Sequence, residues 1–225
     1  MRLKSVPLAR AFAYLALDEL TTGSKVFLRN LMGALKSKCQ FLISPNSPEQ
    51  FDLSKGVTFE QGIFDGMIIK KLVVFPLVMH LDGADSTGAA KATLQAILEW
   101  GKREFDLNYS SDSITRWAYV SDLVFETDFP LLLNLNNAMN SLSAKITSIV
   151  RNNLKEDLEY VPAKFWLAHD PSRRNASVAP FTIEHRALTL FEQNVYYSEA
   201  PVPTEDHISL LNEFEEAARK VYEGR

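Results

Sequence analysis

Residues 67–81 read MIIKKLVVFPLVMHL, and after Lys71 the run is apolar at nearly every position. Alternate residues of a strand point to opposite sides of a sheet. One face would carry Met67, Ile69, Val73, Phe75, Leu77, Met79 and Leu81, the other Ile68, Leu72, Val74 and Val78. A strand with one buried face alternates with polar residues, and this one hardly does, so it calls for a covered sheet or a partner on its second face. Pro76 has no amide hydrogen to give to a ladder. The run therefore reads as a long hairpin strand over 67–75 that bends at Pro76 into 77–81. Its second face would be covered by the helix that follows or by another chain.

Asp65-Gly66 is a favoured two-residue hairpin turn, with a strand over 57–64 before it. A helix follows a cap in Asp85-Ser86-Thr87, with the stripe Leu94, Ile97, Leu98, Gly101 and Phe105. Residues 114–126 form the next strand, with Trp117, Tyr119, Leu123 and Phe125 on one face. Asn136 or Asn137 caps a second long helix, whose core stripe is Leu142, Ile146, Ile149, Val150 and Leu154. A strand over 161–169 closes at Asp170-Pro171, and 181–197 is extended with a bulge or bend near 187–190. Thr204 caps the last helix, striped by Ile208, Leu211, Phe214, Ala218 and Val221. Near the start, Pro7 and the alanines favour a helix, although Leu8, Phe12, Tyr14, Leu15 and Leu17 could also line a strand, and Leu28, Leu31, Met32 and Leu35 give another helical stripe. The chain thus reads as one α+β domain over 1–225: a mainly antiparallel sheet of about four to six strands packed against three long helices, with a short, mostly helical N-terminal segment. The loop Ser44-Pro-Asn-Ser-Pro48 sets off an N-terminal subregion over 1–48. No internal sequence repeat stands out.

Composition excludes some functions. The 225 residues, 46% hydrophobic and 23% charged, are ordinary for a globular protein. A net charge of −4 and a pI near 5.6 argue against nucleic acid, whose binders carry a basic footprint. Cys39 is the single cysteine, which excludes an intrachain disulfide and a cysteine-based zinc cluster and makes a cytoplasmic setting the simplest expectation. The apolar stretch over 6–20 is interrupted by Arg10 and has no small-residue cleavage site before Asp18-Glu19, unlike a signal peptide. Residues 67–81 fall short of the roughly 20 apolar residues that span a bilayer, so no membrane association is expected.

Signatures of chemistry are few. Gly83-Ala-Asp-Ser-Thr-Gly88 has the spacing of a phosphate-binding loop, but Lys91 lies three residues after Gly88 instead of one, roughly 200° out of place on a helix. Helix capping accounts for the same residues. Each histidine has an acidic neighbour, and His80, His169 with Asp170, and His185 with Glu184 would converge on a histidine–carboxylate site if their strands were adjacent. Neither zinc-site nor nucleophile spacing accompanies them, and Cys39 reads as a small semi-buried thiol. Arg173-Arg174 lies in a polar loop that could grip an anionic group or an acidic partner, without a surrounding basic stripe. Tyr196-Tyr197, before the proline-rich 201–203, suits either a recognition surface or packing across the last helix.

These observations favour a non-catalytic protein acting through a protein partner or as a homo-oligomer, with no cofactor or metal implied. The alternatives are a small-molecule binder whose pocket is lined by Trp117, Tyr119, Trp166 and Phe181, and a hydrolase using the histidine–carboxylate residues.

Overall fold

The computed structural model describes every residue except 23–27, 134, 136, 171, 173–177 and 225. Along the chain run β1 (Arg2–Tyr14), α1 (Leu17–Thr21), α2 (Leu28–Lys38), β2 (Val57–Phe64), β3 (Met67–Val74), β4 (Val78–Gly83), α3 (Thr87–Phe105), β5 (Arg116–Glu126), α4 (Asn137–Leu154), β6 (Lys164–Leu167), β7 (Phe181–His185), β8 (Val195–Ala200) and α5 (Thr204–Glu223). The strands form one antiparallel sheet in the order β2-β3-β4-β1-β5-β8-β7-β6. The expected four to six strands and three long helices are thereby corrected: among the described residues there are eight strands and five helices, four of them of seven residues or more.

Three local causes account for the difference. The N-terminal segment is a strand and not a helix. Ala9, Ala11 and Ala13 alternate as buried residues, and β1 pairs with β4 through Ala11↔Leu81 and Ala13↔Met79. Alanine's helix preference is worth only tenths of a kcal/mol per residue, about what tertiary pairing routinely overrides. The run at 67–81 is not one bent strand but two, because Phe75-Pro76-Leu77 is a reverse turn in which the Phe75 N–H donates to the Val78 carbonyl at 2.9 Å. Pro76 sits where no ladder amide is required. Residues 181–197 likewise divide into β7 and the start of β8, with Leu188 (φ 66°) and Asn194 (φ 48°) in the left-handed region between and beside them. The strand expected over 161–169 is shorter, at Lys164–Leu167.

The Asp65-Gly66 hairpin joins β2 and β3, with φ of 46° and 86° at the two residues, the left-handed pair that a type I′ turn requires. Between Ile69 and Lys71 the pairing of β3 with β4 shifts by one residue. That shift brings Ile69, Leu72 and Val74 to one buried face, which simple alternation would not. On the other face the loop at Gly56 (φ 86°) lies against β3, where a Cβ would come within 2.9 Å of Val73 Cγ1.

The chain divides into two compact units. The first comprises Val6–Ser121 and Val202–Thr204. Its core joins Ala11, Ala13, Phe59, Leu72 and Leu81 of the strands to Met32 and Leu35 of α2 and Ala90, Leu94 and Ile97 of α3. Full burial of a leucine or isoleucine side chain contributes about 1.5–3 kcal/mol. The second comprises Met1–Ser5, Asp122–Pro201 and Glu205–Arg225. It buries Leu123, Phe125, Leu131, Ile183, Tyr196 and Leu211, with Phe125 stacked on Tyr196 at 5.6 Å and Phe165 on Phe214 at 5.7 Å.

The connectivity repeats along the chain. With the five-residue α1 set aside, the series β1-α2-β2-β3-β4-α3 has the same order as β5-α4-β6-β7-β8-α5, and the strands neighbour one another as β2-β3-β4-β1 and as β6-β7-β8-β5.

Candidate functional site

The two helices that occupy equivalent places in this connectivity differ in what their apolar stripes meet. In α2, Leu31, Met32 and Leu35 are 7%, 3% and 4% exposed, and they line an apolar cavity of about 40 Å³ with Leu17, Ile97 and Trp100. In α4, Leu142 and Ile149 are both 59% exposed, and Met139 and Leu154 are exposed as well. The stripe expected to be core is thus corrected to a largely uncovered face. Asn140, Ser143 and Thr147 occupy the helix's more buried side, and Thr147 Oγ1 accepts the Tyr160 N–H at 2.9 Å. Periodicity marks a helix as amphipathic without saying which side is covered.

The charges of α4 are few. No acidic residue occurs in the helix, and its cations are Lys145 and Arg151. Arg151 is neutralised by Asp157 at 2.9 Å, and its Nε donates to the Leu158 carbonyl at 2.8 Å. Leu158 and Tyr160, just beyond the helix, are also exposed. So are Trp166 and Leu167 of the short terminal strand β6, where Lys164 pairs with Glu184 at 2.7 Å.

The histidine candidates have separate environments. His80, in the first unit, is half-buried with its ring 5.2 Å from Phe12 and 6.2 Å from Phe75. Burial, then the Arg10 guanidinium, pushes its imidazole down from 6.5 to about 4. The neighbouring Asp82 is held bidentately by Arg10 at 2.5 and 2.8 Å. In the second unit, exposed His169 has Nδ1 3.2 Å from the Asp170 carbonyl oxygen. The Asp170 carboxylate accepts from the Ser172 hydroxyl and N–H at 2.7 and 2.9 Å, which lowers its pKa. His185 sits edge-on to Phe191 at 4.4 Å and beside Tyr196 at 4.6 Å, and burial lowers its pKa. Glu184, adjacent in β7, points to the opposite face. Among the described residues no group of three histidine, cysteine, aspartate or glutamate side chains gathers as metal ligands do.

The aromatic candidates divide in the same way. Trp117 and Tyr119 pack against the core of the first unit, where Lys91 Nζ lies 5.1 Å from the Trp117 ring. Ser86 Oγ accepts the Ala89 N–H at 3.1 Å, so the loop at 83–88 serves as a helix cap. In the second unit, Trp166 is exposed and Phe181 meets His207 edge-on at 5.9 Å. Tyr196 is wholly buried, its hydroxyl accepting the Leu131 N–H at 2.9 Å. Burial and a hydrogen bond to Asp122 raise the Tyr197 hydroxyl. Arg173 and Arg174 lie outside the described residues.

One buried polar pair has no signal in the sequence. Ser198 and His207, nine residues apart and both fully buried, meet at 2.8 Å between Oγ and Nε2. The serine hydroxyl donates its one hydrogen to the Thr182 carbonyl at 2.6 Å, so His207 must supply the hydrogen between them. A histidine that donates to the serine is not placed to take its proton, and burial keeps substrates away. The pair is structural.

No protein-family model matches the chain, and no curated protein matches it. No described helix is long and apolar enough to cross a membrane.

Proposed function

We propose that the protein acts by docking a polypeptide on the apolar face of α4, and not by catalysis. The observation that carries this reading is the 59% exposure of Leu142 and Ile149, against burial of Leu31, Met32 and Leu35 in the equivalent helix α2. A face of this kind loses free energy when a partner removes it from water, at about 25 cal/mol per Å² of apolar surface. The charge-poor helix adds to the case, since interface cores are depleted of charge. Site-specific photo-crosslinking tests the reading in cells. A benzophenone amino acid replacing Leu142 should form an adduct with a polypeptide, and the same group replacing exposed Lys220 of α5 should not. Absence of any adduct at position 142 would sink it.

A further inference from the structure

We infer that the occupant of this face is α4 of a second copy of the chain, packed parallel about a two-fold axis; the inference rests on the docking reading above. Met139, Leu142, Ile146, Ile149 and Asn153 follow one another at steps of three, four, three and four residues. That alternation matches two heptads of a two-stranded coiled-coil seam, with exposed Met139, half-buried Ile146 and Asn153 at one type of core position and Leu142 and Ile149 at the other. A second helix is the partner this spacing suits, since knobs spaced this way fill holes on a facing helix.

Two features select a copy of the same helix in parallel. Asn153 stands at a core position of the seam and is exposed. In a parallel pair it meets Asn153 of the copy, and the two amides satisfy each other, the recognised device for fixing register in such pairs. An antiparallel or unrelated apolar helix would set that amide against a hydrocarbon side chain and leave it unpaired. Charge agrees. The flanking positions are Ala138, Ser143, Lys145, Val150 and Asn152, so the parallel arrangement sets Lys145 against Val150 of the copy and opposes no like charges. A partner chosen by complementary charge would find a single cation there.

The test combines mass with geometry. Light scattering of the purified chain at about 100 µM, well above a micromolar dissociation constant, should give twice the 25.4 kDa chain mass. Ile149→Asp should return the mass to one chain while the far-ultraviolet circular dichroism stays unchanged, because that side chain is exposed in the single chain. Asn153→Cys should form a covalent dimer on mild oxidation, since facing core positions of a parallel pair lie within disulfide reach. Buried Cys39 supplies no competing thiol. A wild-type mass of one chain, a dimer indifferent to Ile149→Asp, or a dimer in which Asn153→Cys does not cross-link would each overturn the inference. An adduct from position 142 of a mass other than two chains would remove the second copy while leaving the docking reading intact. No adduct at all removes both.

Discussion

Thr87 and Thr204 exchange hydrogen bonds: the Thr87 N–H donates to Thr204 Oγ1 at 3.0 Å, and the Thr204 N–H donates to Thr87 Oγ1 at 2.8 Å. Thr87 is the first residue of α3 and Thr204 the first of α5, so each hydroxyl satisfies an amide that its helix leaves unpaired. Ser121 Oγ donates to Thr204 Oγ1 at 3.3 Å and extends the group. Both threonines are buried, which removes water as a substitute partner.

Thr87→Val and Thr204→Val should each lower stability by about 1–3 kcal/mol, the cost of a buried unpaired amide. The double variant should lose markedly less than the sum, because the second substitution removes a group already without its partner. Urea unfolding of the four proteins measures the coupling, and strict additivity would show the exchange to be energetically idle.

His80 makes stability fall with acid. Its imidazole is held at about 4 in the folded chain against 6.5 ordinarily, so the unfolded state binds the proton more readily. The penalty is absent above the ordinary value, grows as pH falls through this interval and is complete below the folded value. Arg10, Asp82 and Lys71 are the charges that act on it. After allowance for partial exposure it amounts to about 2 kcal/mol. Between pH 7 and 4.5, wild type should lose correspondingly more stability than His80→Phe. Equal losses would show that the imidazole titrates normally.

Cys39 should be inert in the folded protein. It is fully buried, and burial pushes its thiol up to about 12, which leaves almost no thiolate at neutral pH. Iodoacetamide should label it only at the rate of unfolding, and completely in urea. Rapid native labelling would place the thiol on an accessible surface.

Ser198→Ala should destabilise the fold by about 1–3 kcal/mol, since the hydrogen on His207 Nε2 then lacks its acceptor. Nitrogen-15 spectra of wild type should show that hydrogen on Nε2. The opposite tautomer would reverse the assignment of donor and acceptor in this pair.

Local chemistry was readable wherever a short segment decides its own conformation. Asp65-Gly66 announced a hairpin and Asp85-Ser86-Thr87 a helix cap, which Ser86 supplies, because left-handed backbone and unpaired amides are satisfied within a few residues. The strand β1 was hidden because Ala9, Ala11 and Ala13 are small enough for either structure, and only pairing with β4 decides between them. The strands β6, β7 and β8 have only four to six residues each, too few for alternation to show their ends. The stripe of α4 was visible, whereas its exposure depends on what the rest of the chain leaves uncovered. Ser198 and His207 meet through tertiary packing alone, so no spacing rule could name them.

The two units described above are each discontinuous in sequence, and this sets a timetable for synthesis. The first unit, though mostly built from residues before 122, takes in Val202–Thr204, and the second needs Met1–Ser5 together with everything from Glu205 onward. Neither is complete on the ribosome until nearly the whole chain has emerged. The opening residues of β1 therefore wait, while Val6–Ser121 are added, for the next segment of their own unit, Asp122–Pro201. Each unit closes only when a late segment, Val202–Thr204 in one and the stretch from Glu205 in the other, joins residues made long before it.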